Sequence, residues 1–254
     1  MLLAIDIGNS NIAFGIYSDR WKRHWRLNTV ADKTADEYEV LFRSLLNSVQ
    51  QDPAEISQVV VSSVVPPLTS TFVSMIRSVF SVEPLIVNGQ TNTGIKVSID
   101  NPLEIGSDLL ANAVAGYHKY QDKCIVVDFG TALSITIVGV GGVLLGGSIA
   151  PGLKTSMKAL TSNTAQLPFV QLEVPNSAIG KNTVHAIQSG MVLGYIGLVE
   201  SLIKRIKAEL GEDAKVIATG GLSEVIAPHT QEFDALEPWH TLEGLRLIAE
   251  KNAN

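Results

Sequence analysis

The chain has 254 residues, 46% hydrophobic and 17% charged, with a net charge of −6. That length suffices for one large domain or two small ones with separate cores, and the composition excludes a disordered chain. An acidic balance with few charges lacks the basic surface that phosphate backbones require, so neither DNA nor RNA is expected as a partner.

The first residues, Met1-Leu-Leu-Ala-Ile-Asp6, have no basic start and reach a carboxylate after five residues, which argues against a signal peptide. Residues 2–5 form an apolar run that stops at Asp6-Ile-Gly-Asn-Ser-Asn11, and alternation resumes over residues 12–17, so strand, tight loop and strand are expected. Trp21 and Trp25 flank Lys22, Arg23 and His24; an edge strand with a mixed face accounts for them better than a stacking surface. Residues 32–50 carry Tyr38, Val40, Leu41, Leu45 and Leu46 at helical spacing, with Asp36 and Glu37 near the start, where the helix dipole favours acids. A β-branched strand at 58–65, a helix at 69–80 and a short strand at 84–87 follow. After the loop marked by Asn101-Pro102, a helix with an Ala/Asn-rich face covers 109–118.

From Cys124 the opening pattern returns: Cys124-Ile-Val-Val-Asp128-Phe-Gly130-Thr131, then alternation over 135–138. Both copies read apolar strand, Asp, apolar residue, Gly and small polar residue, an internal repeat about half the chain apart. Residues 135–150 hold five glycines, and the Gly141-Gly142 pair suits a hairpin better than a membrane helix of about 20 apolar residues. Helices are expected near 153–160 and over 183–210, a last strand at 214–218 and a final helix over about 242–252. Cys124, alone and inside an apolar run, is expected to be a buried strand residue; no disulfide or cysteine metal site is available, and the chain is read as cytoplasmic, with no membrane partner.

A Gly two residues past an Asp at the end of a buried strand lets the backbone turn sharply and aim N–H groups at a phosphate, while the Asp can hold a hydrated cation. One such motif is also an ordinary turn signal; two copies in the same strand context favour a phosphate site. Thr219-Gly220-Gly221 could place an adenosine or another planar group against backbone, or be a plain turn before a helix. Asp6, Asp108 and Asp128 are the acids singled out, because each ends an apolar segment beside small residues, where a carboxylate can take a proton from a hydroxyl or hold Mg²⁺. The five histidines show no zinc-ligand spacing.

These motifs resemble, in order and over nearly the whole chain, the type III pantothenate kinases, within the superfamily of actin, the sugar kinases and acetate kinase. Asp6-Ile-Gly-Asn-Ser-Asn11 is similar to the family's first phosphate motif, Ser62-Ser-Val-Val-Pro66 to its second strand and Asn101-Pro102-Leu-Glu-Ile-Gly106-Ser-Asp108 to the segment bearing its catalytic base. Asp128-Phe-Gly-Thr131-Ala132 is similar to the second phosphate motif. The segment from Gly147 to Gly152 and Thr164-Ala165-Gln-Leu-Pro168 match the loops after it, and Gly180-Lys-Asn-Thr183 with Gln188-Ser-Gly190 the substrate-side helix. The resemblance implies an α/β fold of two RNase H-like domains, each a mixed sheet flanked by helices, here at 1–116 and 117–254. It also implies a homodimer and ATP-dependent phosphorylation of pantothenate in coenzyme A synthesis. It gives Asp108 as general base, and Asp6, Gly8, Asn9, Ser10, Asn11 and Thr131 at ATP. Gly106, Ser107, Asp108, Leu109, Thr183 and Ile99 fall at the acceptor, Asp128 at a monovalent cation (K⁺ or NH₄⁺) and Asp6 at Mg²⁺.

Two positions depart from that pattern. Leu109 stands where the family has an Arg for the pantothenate carboxylate, and Ile99 where it has a Tyr. A charge-assisted hydrogen bond contributes about 1.5–3 kcal/mol, so loss of the Arg would weaken acceptor binding by about one to two powers of ten. Three readings stay open here: an active pantothenate kinase with another clamp, Lys96 or Lys154; a kinase for a related hydroxyl substrate; and a weakly catalytic, nucleotide-binding homologue with a regulatory role.

Overall fold

The computed structural model describes residues 1–211 and 213–253. Two compact units divide the chain: Met1–Gly94, Asp100–Ala115 and Thr241–Asn254 make the first, Ile95–Ile99 and Gly116–His240 the second. Against the halves expected at 1–116 and 117–254, the chain crosses between units at Ala115 and Gly116, and the segments Ile95–Ile99 and Thr241–Asn254 do not follow a simple division in two.

The first unit opens with β1 (Leu2–Ile7), β2 (Asn11–Tyr17) and β3 (Trp21–Asn28), continues through α1 (Ala35–Ser48), β4 (Gln58–Ser63) and α2 (Pro66–Phe80), and reaches β5 (Leu85–Ile86). Its sheet runs β3-β2-β1-β4-β5, with β1 antiparallel to β2 and parallel to β4. β3 is an edge strand with a mixed face, as Trp21 and Trp25 suggest.

Helix starts follow local chemistry. α1 begins at Ala35, not 32, because Thr34 caps it: Thr34 Oγ1 accepts the Glu37 N–H at 3.3 Å, and Glu37 Oε2 accepts the Thr34 N–H at 2.8 Å. α2 begins at Pro66, three residues before the helical pattern is evident, because the first turn has no use for the N–H that proline lacks. Between the helices and the sheet, Phe14, Phe42 and Phe72 are buried, with Phe14 stacked on Phe42 at 4.3 Å between ring centroids.

The chain next crosses to the second unit for β6 (Lys96–Val97), returns for the start of α3 (Ser107–Tyr120), and builds β7 (Cys124–Phe129), β8 (Ala132–Gly139) and β9 (Val143–Pro151). α4 (Leu153–Ser162) follows, then α5 (Thr183–Gln188), a π-helical turn at Ser189–Leu193 and α6 (Gly194–Leu210) in one continuous run. β10 (Lys215–Thr219), α7 (Ser223–Ile226), β11 (Ala235–Leu236) and α8 (His240–Lys251) complete the chain.

The second sheet, β11-β10-β7-β8-β9-β6, repeats the first with one strand added at the β9 edge. Gly141 and Gly142, at φ +72° and +71°, make the expected hairpin turn between β8 and β9. Cys124 is buried, and burial pushes its thiol up to about 12, in keeping with a packing role. Residues 183–210 are, among the described residues, the one helix long and apolar enough by length and composition to cross a membrane. Its Val192, Ile196, Val199 and Ile203 pack into the core of the second unit. Strands β6 and β11 have two residues each, too short for a periodicity to show in the sequence.

Candidate functional site

In the first unit, Asp6 is the penultimate residue of β1, and the chain turns through Gly8 to Asn11. The Gly8 N–H donates to Asn11 O at 3.0 Å and closes the turn, and a Cβ at position 8 would lie 3.1 Å from that same oxygen. Asn9, Ser10 and Asn11 are exposed, whereas Asp6 is half-buried with its Oδ1 shielded from solvent. Thr29, which belongs to no motif, donates its Oγ1 to Gly8 O at 2.6 Å and its N–H to Ser10 O at 3.0 Å.

Asp108 stands in the first turn of α3, half-buried. Its Oδ1 accepts the Leu109 N–H at 2.8 Å, and a Cβ at Gly106 would fall 2.4 Å from that oxygen, so glycine there makes room for the carboxylate. Burial raises the Asp108 pKa above its ordinary value, partly offset by backbone N–H groups of Leu109 and Asp108 itself. A carboxyl so poised is a better proton acceptor than an ordinary surface Asp.

Ser107 is buried, and its Oγ lies 2.9 Å from Ser62 Oγ and accepts the Ser63 N–H at 3.1 Å. Ser62 pairs in register with Asp6 across β1 and β4. The first-unit sheet therefore brings Asp6, Ser62, Ser107 and Asp108 to one end, a grouping of segments that are about fifty residues apart in the chain. Leu109 is half-buried beside Asp108 and offers no charge. Ser62 and Ser63 were legible only as part of a strand; nothing in their spacing marks them as anchors of α3.

In the second unit, Asp128 and Thr131 stand at the corresponding end of β7. Asp128 pairs in register with Thr219 of β10, and Gly220 follows with φ +88°. A Cβ at Gly220 would lie 2.4 Å from Asp128 Oδ1 and 2.7 Å from Phe129 N, so only glycine lets the two strand ends approach. Gly152 closes the loop from the other side: its N–H donates to Thr131 O at 3.0 Å, and a Cβ there would sit 2.3 Å from Gly130 O. The Thr219-Gly220-Gly221 junction thus belongs to the wall of the Asp128 loop.

In both loops a carboxylate near the strand end stands beside backbone that a Cβ would crowd, which leaves room for a phosphate or a cation. Among the described residues no cluster of three or more His, Cys, Asp or Glu could hold a metal.

Thr183 opens α5, exposed, where the Asn182 side chain caps the helix by accepting the His185 N–H at 2.9 Å. It lines an open cleft of about 600 Å³ together with Lys181 and Asn182, over an apolar floor that includes Leu160, Leu167, Ile187 and Met191. Ile99 lies half-buried just past β6, and Lys96 and Lys154 are exposed on β6 and α4; none of the three lines this cleft.

A sequence model of the family described as type III pantothenate kinase matches residues 2–205. A type III pantothenate kinase from Roseiflexus sp. (strain RS-1) is 49% identical over 253 residues, covering 99% of both chains. One from Dehalococcoides mccartyi is 44% identical over 252 residues, covering 99% of this chain and 98% of its own. Among solved structures, the activator of the 2-hydroxyisocaproyl-CoA dehydratase from Clostridium difficile, with bound ADPNP, aligns at TM-score 0.54 and 13% identity over 100% of this chain and 98% of its own. A Sinorhizobium meliloti protein assigned as a 2-dehydro-3-deoxygalactonokinase aligns at TM-score 0.60 and 13% identity, covering 99% and 97%.

Proposed function

This chain belongs to the type III pantothenate kinase family, and from that premise we propose which of its residues carry the reaction. It has the α/β fold of the actin-like ATPases and sugar kinases and catalyses ATP-dependent phosphorylation of pantothenate in coenzyme A biosynthesis.

Asp108 is the general base. The observation that carries this is the placement of a single desolvated carboxylate in the first turn of α3, with Gly106 leaving space in front of it and Ser107 anchoring the turn through Ser62 and Ser63. It accepts the proton of the acceptor hydroxyl as that oxygen attacks phosphorus. Asp6 and Gly8 to Asn11 hold the ATP phosphates, Asp6 with Mg²⁺, and Thr131 contacts ATP. Asp128, with the carbonyl-rich loop around it, holds a monovalent cation, K⁺ or NH₄⁺. When bound, the nucleotide supplies the phosphoryl group and the divalent ion neutralises charge on its oxygens.

On the acceptor side, Thr183 contacts pantothenate, and the cleft it lines supports a clamp other than the Arg replaced by Leu109. Lys181 lines that cleft, forms no ion pair among the described residues and stands over an apolar floor suited to the substrate's methyl-bearing body. Lys96 and Lys154 lie outside the lining, so Lys181 takes the carboxylate in this reading. The protein works as a homodimer in the cytoplasm.

The test is ADP release with ATP, Mg²⁺ and K⁺ against pantothenate and against its neutral alcohol analogue. Lys181→Met should raise KM for pantothenate about 10–100-fold and leave KM for the alcohol unchanged, because only the former loses a charge-assisted bond. Equal changes for both acceptors would remove Lys181 from this role, and Leu109→Arg should then lower KM for pantothenate. An Asp108→Asn enzyme that keeps its turnover would remove Asp108 as the base.

A further inference from the structure

A loop that presents N–H groups to a phosphate has to turn its carbonyl oxygens elsewhere, because their partial negative charge repels the anion. Two of the carbonyls in the Asp6-to-Asn11 loop are held by one residue. Thr29, immediately after β3, donates Oγ1 to Gly8 O at 2.6 Å and its N–H to Ser10 O at 3.0 Å. The carbonyls on both sides of Asn9 are thereby bound on the β3 side of the loop.

Thr29 is itself held in place. Its neighbour Val30 donates its N–H to the Tyr38 hydroxyl at 3.3 Å, and that hydroxyl donates to Val30 O at 3.0 Å. Tyr38 is fully buried on α1, so a core residue fixes the segment that fixes the loop.

The second unit has a matching tether. Thr155, in the first turn of the helix that follows β9, donates Oγ1 to Thr131 O at 2.7 Å. β9 holds the place in the second sheet that β3 holds in the first. Each Asp-Xaa-Gly loop therefore has a carbonyl bound by a threonine hydroxyl delivered after the equivalent strand of its sheet, β3 or β9.

We propose that Thr29 is a positioning residue for the nucleotide, keeping the Gly8 and Ser10 carbonyls turned away so that the N–H groups not bound within the loop, as that of Gly8 is to Asn11 O, face the ATP phosphates. The proposal rests on the assignment of that loop to the phosphates. Thr155 is its counterpart at Thr131, with the smaller effect of the two because the Gly152 N–H holds the same carbonyl.

Thr29→Val swaps the hydroxyl for a methyl of similar shape, Thr29→Ala removes it without adding apolar bulk, and Thr29→Ser keeps it. Binding of a non-hydrolysable ATP analogue with Mg²⁺ would be measured by calorimetry, and KM for ATP and for pantothenate separately. Thr29→Val and Thr29→Ala should weaken the nucleotide and raise KM for ATP by about three- to tenfold, the scale of one neutral hydrogen bond, with KM for pantothenate unchanged. Thr29→Ser should restore both values. Wild-type nucleotide affinity in Thr29→Ala, or equal losses for both substrates, would overturn the proposal. Asp6→Asn, measured alongside, separates the two assignments: if it leaves nucleotide affinity intact, the loop assignment falls and Thr29 with it. If Asp6→Asn weakens binding and the Thr29 variants do not, Thr29 alone is refuted.

Discussion

Asp108 carries the sharpest consequence of a single residue's surroundings. Its folded pKa is raised by burial, so this carboxyl protonates at a higher pH than an ordinary Asp, and if it is the general base the acid limb of kcat/KM should lie above pH 3.8. The same shift bears on stability with a definite sign. A carboxyl with a raised folded pKa favours the folded state at low pH, and this contribution is lost as pH rises through the folded pKa. Asp108→Asn should therefore lower kcat by about 10²–10⁴-fold while its Tm at neutral pH equals or exceeds that of the wild type. Calorimetric scans at several pH values check it: the Tm difference should shrink as the medium becomes more acid. Gly220 shows the reverse case of a residue defined by what it lacks. Gly220→Ala puts a Cβ 2.4 Å from Asp128 Oδ1 at a positive φ, and should cost more than about 1 kcal/mol of stability in urea unfolding and, if Asp128 holds the proposed cation, raise the K⁺ concentration needed for turnover.

At the scale of elements, most of the chain was legible because periodicity and local chemistry agree. β1 and β7 run one residue past the Asp that closes their apolar runs, β4 stops at Ser63, two residues short of the expected strand, and α1 starts where the Thr34-to-Glu37 capping box is written in the sequence. Thr34→Ala should cost about 1 kcal/mol, read as a shift of the urea midpoint without a change in slope. Phe42 packs between Phe14 and Phe72, and Phe42→Ala should destabilise by about 3–5 kcal/mol through the cavity it leaves. Elements that escaped the sequence are those with no periodicity of their own. β6 and β11 exist because neighbouring strands offer unpaired edges: β9 receives Lys96 and Val97, and β10 receives Ala235 and Leu236. The π-helical turn at Ser189–Leu193 is likewise invisible in a pattern that reads as one helix.

At the scale of the whole molecule, the repeat first seen in two six-residue motifs extends to both sheets. β1, β2, β3, β4 and β5 correspond in order and direction to β7, β8, β9, β10 and β11. The two loops at its corresponding ends nevertheless differ in the chemistry assigned to them. If Asp128 holds the monovalent cation, replacing K⁺ by a bulky organic cation should reduce turnover in the wild type, and Asp128→Asn should abolish that dependence. Sedimentation equilibrium should return twice the chain mass for the proposed homodimer.

By itself the sequence determined the strand-ending carboxylates Asp6 and Asp128, the glycines beside them, the helical cap, and the family whose ordered motifs they share, because each is a local pattern a few residues long. It also places Leu109 where the family resemblance leads one to expect an Arg. Only the tertiary structure decided what holds these residues in place. Thr29 reaches Gly8, Ser62 reaches Ser107, and Gly220 admits Asp128 through contacts between segments 21 to 92 positions apart in the chain. Such partners leave no mark on spacing, since it is the strand register that chooses them. Lys181 is a mixed case: it sits two residues from Thr183 in a segment visible in the sequence, but only the fold shows that both line a cleft which Lys96 and Lys154 do not reach.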